Sequence, residues 1–597
     1  MTPRSAPWLL LLWLAAPALA QQSTYERIDA TVTMSDGVVL DASLYLPASV
    51  SPMRLPLIVR QHGGGSNKDS EYDVKYVVKA VETGHFAALM YSHRGHGNSG
   101  GLFDFFGPRT TQDFSEMLDW VAANHGARID TGNVGASGYS QGGGESLLPA
   151  AQDARVKALA VGNTFADLNY ALNPNDCFKF AFATGIFLGA YTSTASRVDD
   201  SLALRWGAQF YSDTEDVGTP VVPSTTDDLA LRSPQTYVAA LAARRVPIFW
   251  TNAWEDQLFP ADHPERMLPV VQAAGAPVHY WFASGGHAAG QNYAPEEEAR
   301  EQAMLEWFER FLNGHGGGTT HKVDYWQRVT GDPRKPGEWE HHTAAAWPIP
   351  GSKAVALYPH ADGTLADVPA PQEETATLVN DAASFNVAND ALVHEVAGNV
   401  PGMGDVLDQV PESQNPLDTI TYTSAPLTQA LNVVGAPQVT VTQDSSHTRV
   451  QQLVAKVWDV SEAGAQLIWR GGTSGMNGDQ VSFKLWPNAH RFEVGHQIVL
   501  TISSVDFPTF KPDTEPWTST LSLAGTRVDL PVPPGSGKAE SYPKGEGVVV
   551  GAMPGLLWMW VLLGLRLVRR VAAGLKMGVH SAAMRSKSES AVSISTP

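Results

Sequence analysis

The chain has a single cysteine, Cys177, so no intramolecular disulfide can staple any part of its 597 residues. A lone thiol of this kind reads as a buried apolar residue rather than a nucleophile. Charged residues are sparse at 17%, and basic ones are the scarcer: 41 Lys and Arg stand against 61 Asp and Glu, a formal charge of −20. That balance argues against nucleic acid as a partner. The shortage of basic groups is sharpest in the body of the chain, because Arg566, Arg569, Arg570, Lys576, Arg585 and Lys587 all follow Leu565, against Glu589 alone. There is no internal repeat, no His/Cys/carboxylate cluster at metal-ligand spacing and no carboxylate pair of the kind a glycosidase needs. No metal and no cofactor is therefore implied. His93 and His96 lie in the tight loop His93–Gly100 and read as structural, and the pair His341-His342 reads as exposed.

At 597 residues the chain exceeds one ordinary core, and two or three domains are expected. Arg4, the apolar run Trp8–Ala16 and the small residues Ala18-Leu19-Ala20 make residues 1–20 a signal peptide. Near the other end, Val548–Leu565 carries no charge, contains Trp558 and Trp560 and runs straight into arginines. Residues 548–567 are expected to cross a membrane with the basic residues on the cytoplasmic side. Pro554 and Gly555 leave a cleaved C-terminal sorting tail as the competing reading. Residues 568–597 form a basic tail, expected to be disordered. The protein should then be exported, to the periplasm or cell surface, and anchored through its C-terminal segment.

Between these ends, residues 27–162 alternate short apolar strands (Leu57–Arg60, Ala87–Tyr91, Asn133–Ser137, Val156–Val161) with helical stretches (Tyr72–Glu82, Thr111–Asn124, Gln141–Gln152). A βαβ rhythm requires a mostly parallel, doubly wound sheet. It breaks at 164–235, which holds no convincing strand and reads as a helical insertion able to roof a pocket. It resumes with Pro247–Trp250 and Val278–Phe282 and closes with the helix Pro295–Leu312. After the Gly-rich linker Gly314–Thr320, residues 321–545 show turn signals at short spacing and β-branched residues, the pattern of a sandwich or jelly roll.

Gly138-Tyr139-Ser140-Gln141-Gly142 sits where strand should turn into helix. A G-x-S-x-G at such a turn is a nucleophile elbow, which lifts a serine oxygen above the sheet. A serine nucleophile needs a base and an acid that orients it, and in this topology they follow it in the order acid, then histidine, on strand-end loops. Asp256 lies just past Pro247–Trp250 and His287 just past Val278–Phe282. Glu255 is the alternative acid, and a helix N-cap is the competing role for Asp256. Two backbone amides should hold the oxyanion: that of Gln141, and one from the glycines of Gln61-His62-Gly63-Gly64-Gly65, with Gly64 the best choice.

Arg94-Gly95-x-Gly97-x-Ser99-x-Gly, the Ser140 elbow, Trp254–Pro260 and Gly286-His287 together resemble the X-prolyl dipeptidyl peptidase and cocaine-esterase-like serine hydrolases. Trp347-Pro348, Ala425-Pro426-Leu427, Trp458-Asp459-Val460 and Phe492-x-x-Gly495-His496-Gln497-Ile498 through Phe507-Pro508 resemble that family's C-terminal jelly roll. The resemblance covers roughly residues 25–530. It implies an α/β-hydrolase domain over 21–315 with a helical cap over 164–235, then a β-sandwich/jelly-roll domain over 321–545. It also implies Ser140 as nucleophile, Asp256 as acid and His287 as base. Two departures stand out: the loop after the third strand lacks the tyrosine many members use as an oxyanion donor, and His93 stands where aspartate is usual. The expected function is hydrolysis of a small-molecule ester by a Ser-His-Asp acyl-enzyme route. The alternatives are an X-Pro dipeptidyl peptidase acting on short peptides and a catalytically dead cell-surface binding protein.

Overall fold

The computed structural model describes residues 24–49, 53–211, 225–287, 293–315, 322–328, 339–380, 418–444, 451–462, 464–474, 479–506, 509–513 and 516–534. The segments read as signal peptide (1–20), membrane span or sorting tail (548–567) and basic tail (568–597) lie outside them. Among the described residues no helix is long and apolar enough to cross a membrane.

An antiparallel pair, β1 (Tyr25–Thr33) and β2 (Val39–Pro47), opens the fold around the turn at Asp36-Gly37. There follow β3 (Leu55–Gln61), α1 (Glu71–Glu82), β4 (Ala87–Tyr91), α2 (Pro108–His125), β5 (Ile129–Tyr139), α3 (Gln141–Gln152) and β6 (Val156–Gly162). The next part is helical: α4 (Leu168–Leu172), α5 (Phe180–Ser193), α6 (Asp200–Tyr211), α7 (Thr225–Leu231) and α8 (Val238–Arg244). Then come β7 (Ile248–Ala253), α9 (Leu268–Ala273), β8 (Val278–Ala283), α10 (Ala294–Leu312), β9 (Val323–Arg328) and β10 (Trp339–Ala344).

Strands β3 to β9 run parallel in the order β4-β3-β5-β6-β7-β8-β9. Alternation along each strand explains the layering, since neighbouring side chains leave a strand on opposite faces. Leu57, Val59, Leu89, Val134, Leu159 and Ile248 enter a core with α2, α3, α8 and α9; Ile58, Ala88, Met90, Ala158 and Phe249 enter another with α1 and α10. The doubly wound sheet expected from the βαβ rhythm is thus present.

The rest of the chain is strand among the described residues: β11 (Lys353–Pro359), β12 (Thr364–Ala366), β13 (Thr375–Asn380), β14 (Thr419–Ser424), β15 (Leu431–Gly435), β16 (Gln438–Gln443), β17 (Leu453–Ser461), β18 (Gly464–Thr473), β19 (Gln480–Lys484), β20 (Asn488–Phe492), β21 (Gln497–Ser503) and β22 (Trp517–Val532). Most form a second sheet, β18-β17-β21-β14-β12-β11-β22-β16-β19, with β13 on β22. Four strands beyond residue 321 join the first sheet instead: β9 lies parallel to β8, β10 pairs with β9, and β20 and β15 continue from β9. The composition change at 321 therefore does not coincide with a sheet boundary. His341 and His342, read as exposed, are buried on β10, because that strand pairs with β9 and sets His341 Nε2 2.7 Å from Asp324. Cys177 is buried against Val454, Trp486 and Phe510, and burial pushes its thiol pKa well up.

Candidate active site

Strand β5 ends at Tyr139 and α3 begins at Gln141, leaving Ser140 alone to make the turn at φ 56°, ψ −125°. A positive φ is unfavourable for a residue with a side chain, and the neighbours that force it are visible. The Ser140 amide donates to the Gly162 carbonyl (2.9 Å), and its carbonyl accepts from Thr164 Oγ1 (2.7 Å). The elbow glycines are required by contact: a Cβ on Gly138 would stand 2.4 Å from the Gly142 backbone, and one on Gly142 would stand 2.3 Å from Gln61 O. Strand, helix and the end of β3 meet too closely there for any side chain.

The structure brings three of the sequence-predicted residues into one line. His287 Nε2 lies 3.0 Å from Ser140 Oγ, and His287 Nδ1 lies 2.8 Å from Asp256 Oδ2. Asp256 is buried, and its Oδ1 accepts from the amides of Leu258 (2.9 Å) and Phe259 (2.8 Å), which fixes the carboxylate plane. With Nδ1–H donating to Asp256, Nε2 is left to accept from the serine hydroxyl. Glu255 faces away, accepting from Arg328 NH1 at 2.8 Å.

Asn163, which the sequence reading passed over, joins the two loops. It follows β6 with φ 42°; its Oδ1 accepts from the Ala253 amide (2.9 Å) and its Nδ2 donates to Gly286 O (3.4 Å). Its only sequence signal is a polar residue just past an apolar strand.

Gly64 lies beside the start of α3, where a Cβ would come within 3.3 Å of Gln141 Oε1. Gln141 is the first residue of that helix, so its N–H has no intrahelical acceptor. Beneath this loop is a buried polar network absent from the sequence reading. Glu145 pairs with His93 Nδ1, and Gln141 Nε2 lies 3.1 Å from the same nitrogen. His93 Nε2 is 2.6 Å from Gln61 Oε1, and Gln61 Nε2 donates to Tyr91 OH (3.0 Å). The His93 amide donates to His62 Nε2 (3.1 Å), so His62 carries its proton on Nδ1 and donates it to Gly63 O (2.8 Å). Burial explains the charge states. It lowers His93 to about 3 and His96 to about 4, holds His62 well below the ordinary histidine value and pushes Glu145 well above the ordinary carboxyl value. The network holds the Gly63-Gly64 loop and the Gln141 side chain in register with each other.

The sequence matches the description X-Pro dipeptidyl-peptidase (S15 family) over residues 36–289. It matches the X-Pro dipeptidyl-peptidase C-terminal non-catalytic domain over 315–477 and 479–542. The chain belongs to the X-Pro dipeptidyl-peptidase and cocaine-esterase-like family. The family description pairs an X-Pro dipeptidyl-peptidase domain with a separate non-catalytic C-terminal domain.

Solved structures share the family fold over most of the chain. An aminopeptidase from a marine sediment Thaumarchaeota archaeon covers 85% of this chain and 96% of its own, at TM-score 0.66 and 17% identity. An α-amino acid ester hydrolase covers 89% and 100%, at TM-score 0.62 and 16% identity. A CocE/NonD family hydrolase from Staphylococcus aureus covers 85% and 93%, at TM-score 0.61 and 13% identity. Quorum-quenching protein AidA of Acinetobacter baumannii is 33% identical over 153 residues, 24% of this chain and 47% of that protein. Protein YcjY of Escherichia coli, uncharacterized, is 28% identical over 141 residues, 22% and 43%. The chain thus spans somewhat less than half the length of these two curated relatives.

Proposed function

We propose that this family member is an exported esterase using Ser140 as nucleophile, His287 as base and Asp256 as acid. The hydrogen-bonded line from Asp256 Oδ2 through His287 to Ser140 Oγ carries the reading. Ser140 Oγ attacks the ester carbonyl carbon while His287 Nε2 takes its proton, and buried Asp256 stabilises the imidazolium. The amides of Gln141 and Gly64 receive the oxyanion. Collapse of the intermediate expels the alcohol, protonated from Nε2, and water releases the acid by the same steps reversed. Residues 164–235 roof the substrate pocket in this reading. Residues 1–20 direct export, and residues 548–567 anchor the body or are removed in sorting.

Ester cleavage is the first reading, and X-Pro peptide cleavage would additionally require a carboxylate placed to bind a substrate ammonium. Among the described cap residues, Asp199 caps α6 through the amides of Ser201 and Leu202, Asp200 accepts from Tyr191, and Asp228 pairs with Arg205. Glu145 is buried, its pKa pushed up by burial, and it is paired with His93. The X-Pro reading is kept because of the match over 36–289. A panel of p-nitrophenyl esters beside X-Pro p-nitroanilides separates them. Higher kcat/KM on an ester, abolished in Ser140→Ala, is the expected result. Faster anilide cleavage would install the peptidase reading, and turnover of neither would point to a binding protein.

A further inference from the structure

We propose that His85, Glu309 and His315 form a surface site for a zinc-type divalent cation. The three come from two separate parts of the chain and are brought together by backbone geometry. His85 sits in the turn between α1 and β4, held by its amide donating to Thr83 Oγ1 (3.1 Å). Glu309 lies in the last turn of α10. Just past that helix Gly314 adopts φ 70°, the left-handed region open to glycine, and the chain reverses. The His315 amide then donates to the Glu309 carbonyl (3.0 Å), returning its ring to the Glu309 side chain.

The donor atoms of the three residues all lie within 4.8 Å of one another. His85 Nδ1 is 2.6 Å from Glu309 Oε1, and His315 Nδ1 is 3.7 Å from Oε2. Tetrahedral zinc with bonds of about 2.0–2.1 Å spaces its ligand atoms about 3.3 Å apart, between the two observed values. Side-chain exposures of 52% for His85 and 69% for His315 leave both rings room to rotate onto an ion, and water can fill a fourth position. Asn313 Nδ2 donates to Glu309 Oε2 (2.9 Å), the outer partner that orients a ligating carboxylate. Two imidazoles and one carboxylate suit zinc, whereas calcium and magnesium demand more oxygen.

The site is separate from the hydrolase centre. His85 precedes β4, and Glu309 and His315 precede β9, whereas Ser140, Asp256 and His287 follow β5, β7 and β8 of the same parallel run. The two groups therefore lie beyond opposite ends of the parallel strands. A cation here pins the start of the α10–β9 connection to the α1–β4 turn and stabilises the folded state by binding it preferentially.

The test is calorimetric titration of the chelator-treated, tag-free full chain with Zn2+, beside thermal unfolding with and without the ion. His85→Ala and His315→Ala are compared, with ester turnover as a check that both variants are folded. The expected result is one equivalent of Zn2+ bound and a raised melting midpoint in the wild type. Each variant should bind about tenfold or more weakly and lose the shift, with turnover unchanged; Ca2+ should not substitute. Absence of Zn2+ binding to the wild type, or equal affinity in either variant, would overturn the proposal.

Discussion

Ser140 holds a backbone conformation that costs about 1–3 kcal/mol, and its half-buried side chain thereby comes within hydrogen-bond reach of His287. Asp256→Asn should keep the fold but favour the wrong imidazole tautomer, so kcat should fall by about 10⁴-fold; a loss below tenfold would remove Asp256 from its proposed role. The histidines under the oxyanion loop give a pH prediction. His93 has a folded pKa of about 3 against an unfolded value of about 6.5, so its contribution is intact above pH 6.5 and is lost as pH falls toward 3. Urea unfolding of His93→Gln between pH 5 and 6.5 should show a pH slope lower than wild type by roughly 1 kcal/mol per unit; equal slopes would contradict a neutral buried His93. The serine, acid and histidine were legible because motif, spacing and chain order are sequence properties. The partners of His93 were not: Gln61, Gln141 and Glu145 lie 32, 48 and 52 residues away, and only the folded sheet brings them together.

At the scale of elements, the loop after β7 is held by groups outside the core βαβ units. Arg328 on β9 binds Glu255, Lys179 Nζ donates to Leu258 O (2.7 Å), and Arg470 on β18 lies 3.4 Å from Gln257 Oε1. Lys179 is buried, with its ammonium over the rings of Phe182 and Trp486. Lys179→Met should loosen the Asp256 loop and lower kcat by about tenfold or more, with less change in KM. Wild-type kcat in the folded variant would show that the loop holds itself. Apolar strands between amphipathic helices made β3 to β8 legible. β9 and β10 were not assigned to the first sheet, because strands after a linker carry no mark of which edge they will join.

Across the whole molecule, a buried charge cluster in the second sheet lies beside that sheet's contacts to the cap and the Asp256 loop. Asp506 pairs with Lys456 and with Arg470 Nε (3.0 Å), all three buried, and Arg470 also donates to Thr509 (2.8 Å). The same region meets the start of the cap, where the Phe180 amide donates to Thr509 O (3.0 Å) and the Lys511 amide to Phe178 O (2.8 Å). Asp506→Asn should lower unfolding stability by about 3–5 kcal/mol by leaving two buried cations with one neutral partner; a loss below about 1 kcal/mol in denaturant titration would contradict this. Turn spacing and β-branched residues made the β-rich second half legible, but strand pairing between residues a hundred or more apart was not. The central claim is that Ser140 is the nucleophile. Its most direct test is fluorophosphonate labelling of the folded protein followed by peptide mass spectrometry. One adduct on Ser140, absent from Ser140→Ala, is expected; an unlabelled Ser140 in folded protein, or an adduct on another residue, would remove Ser140 from that role.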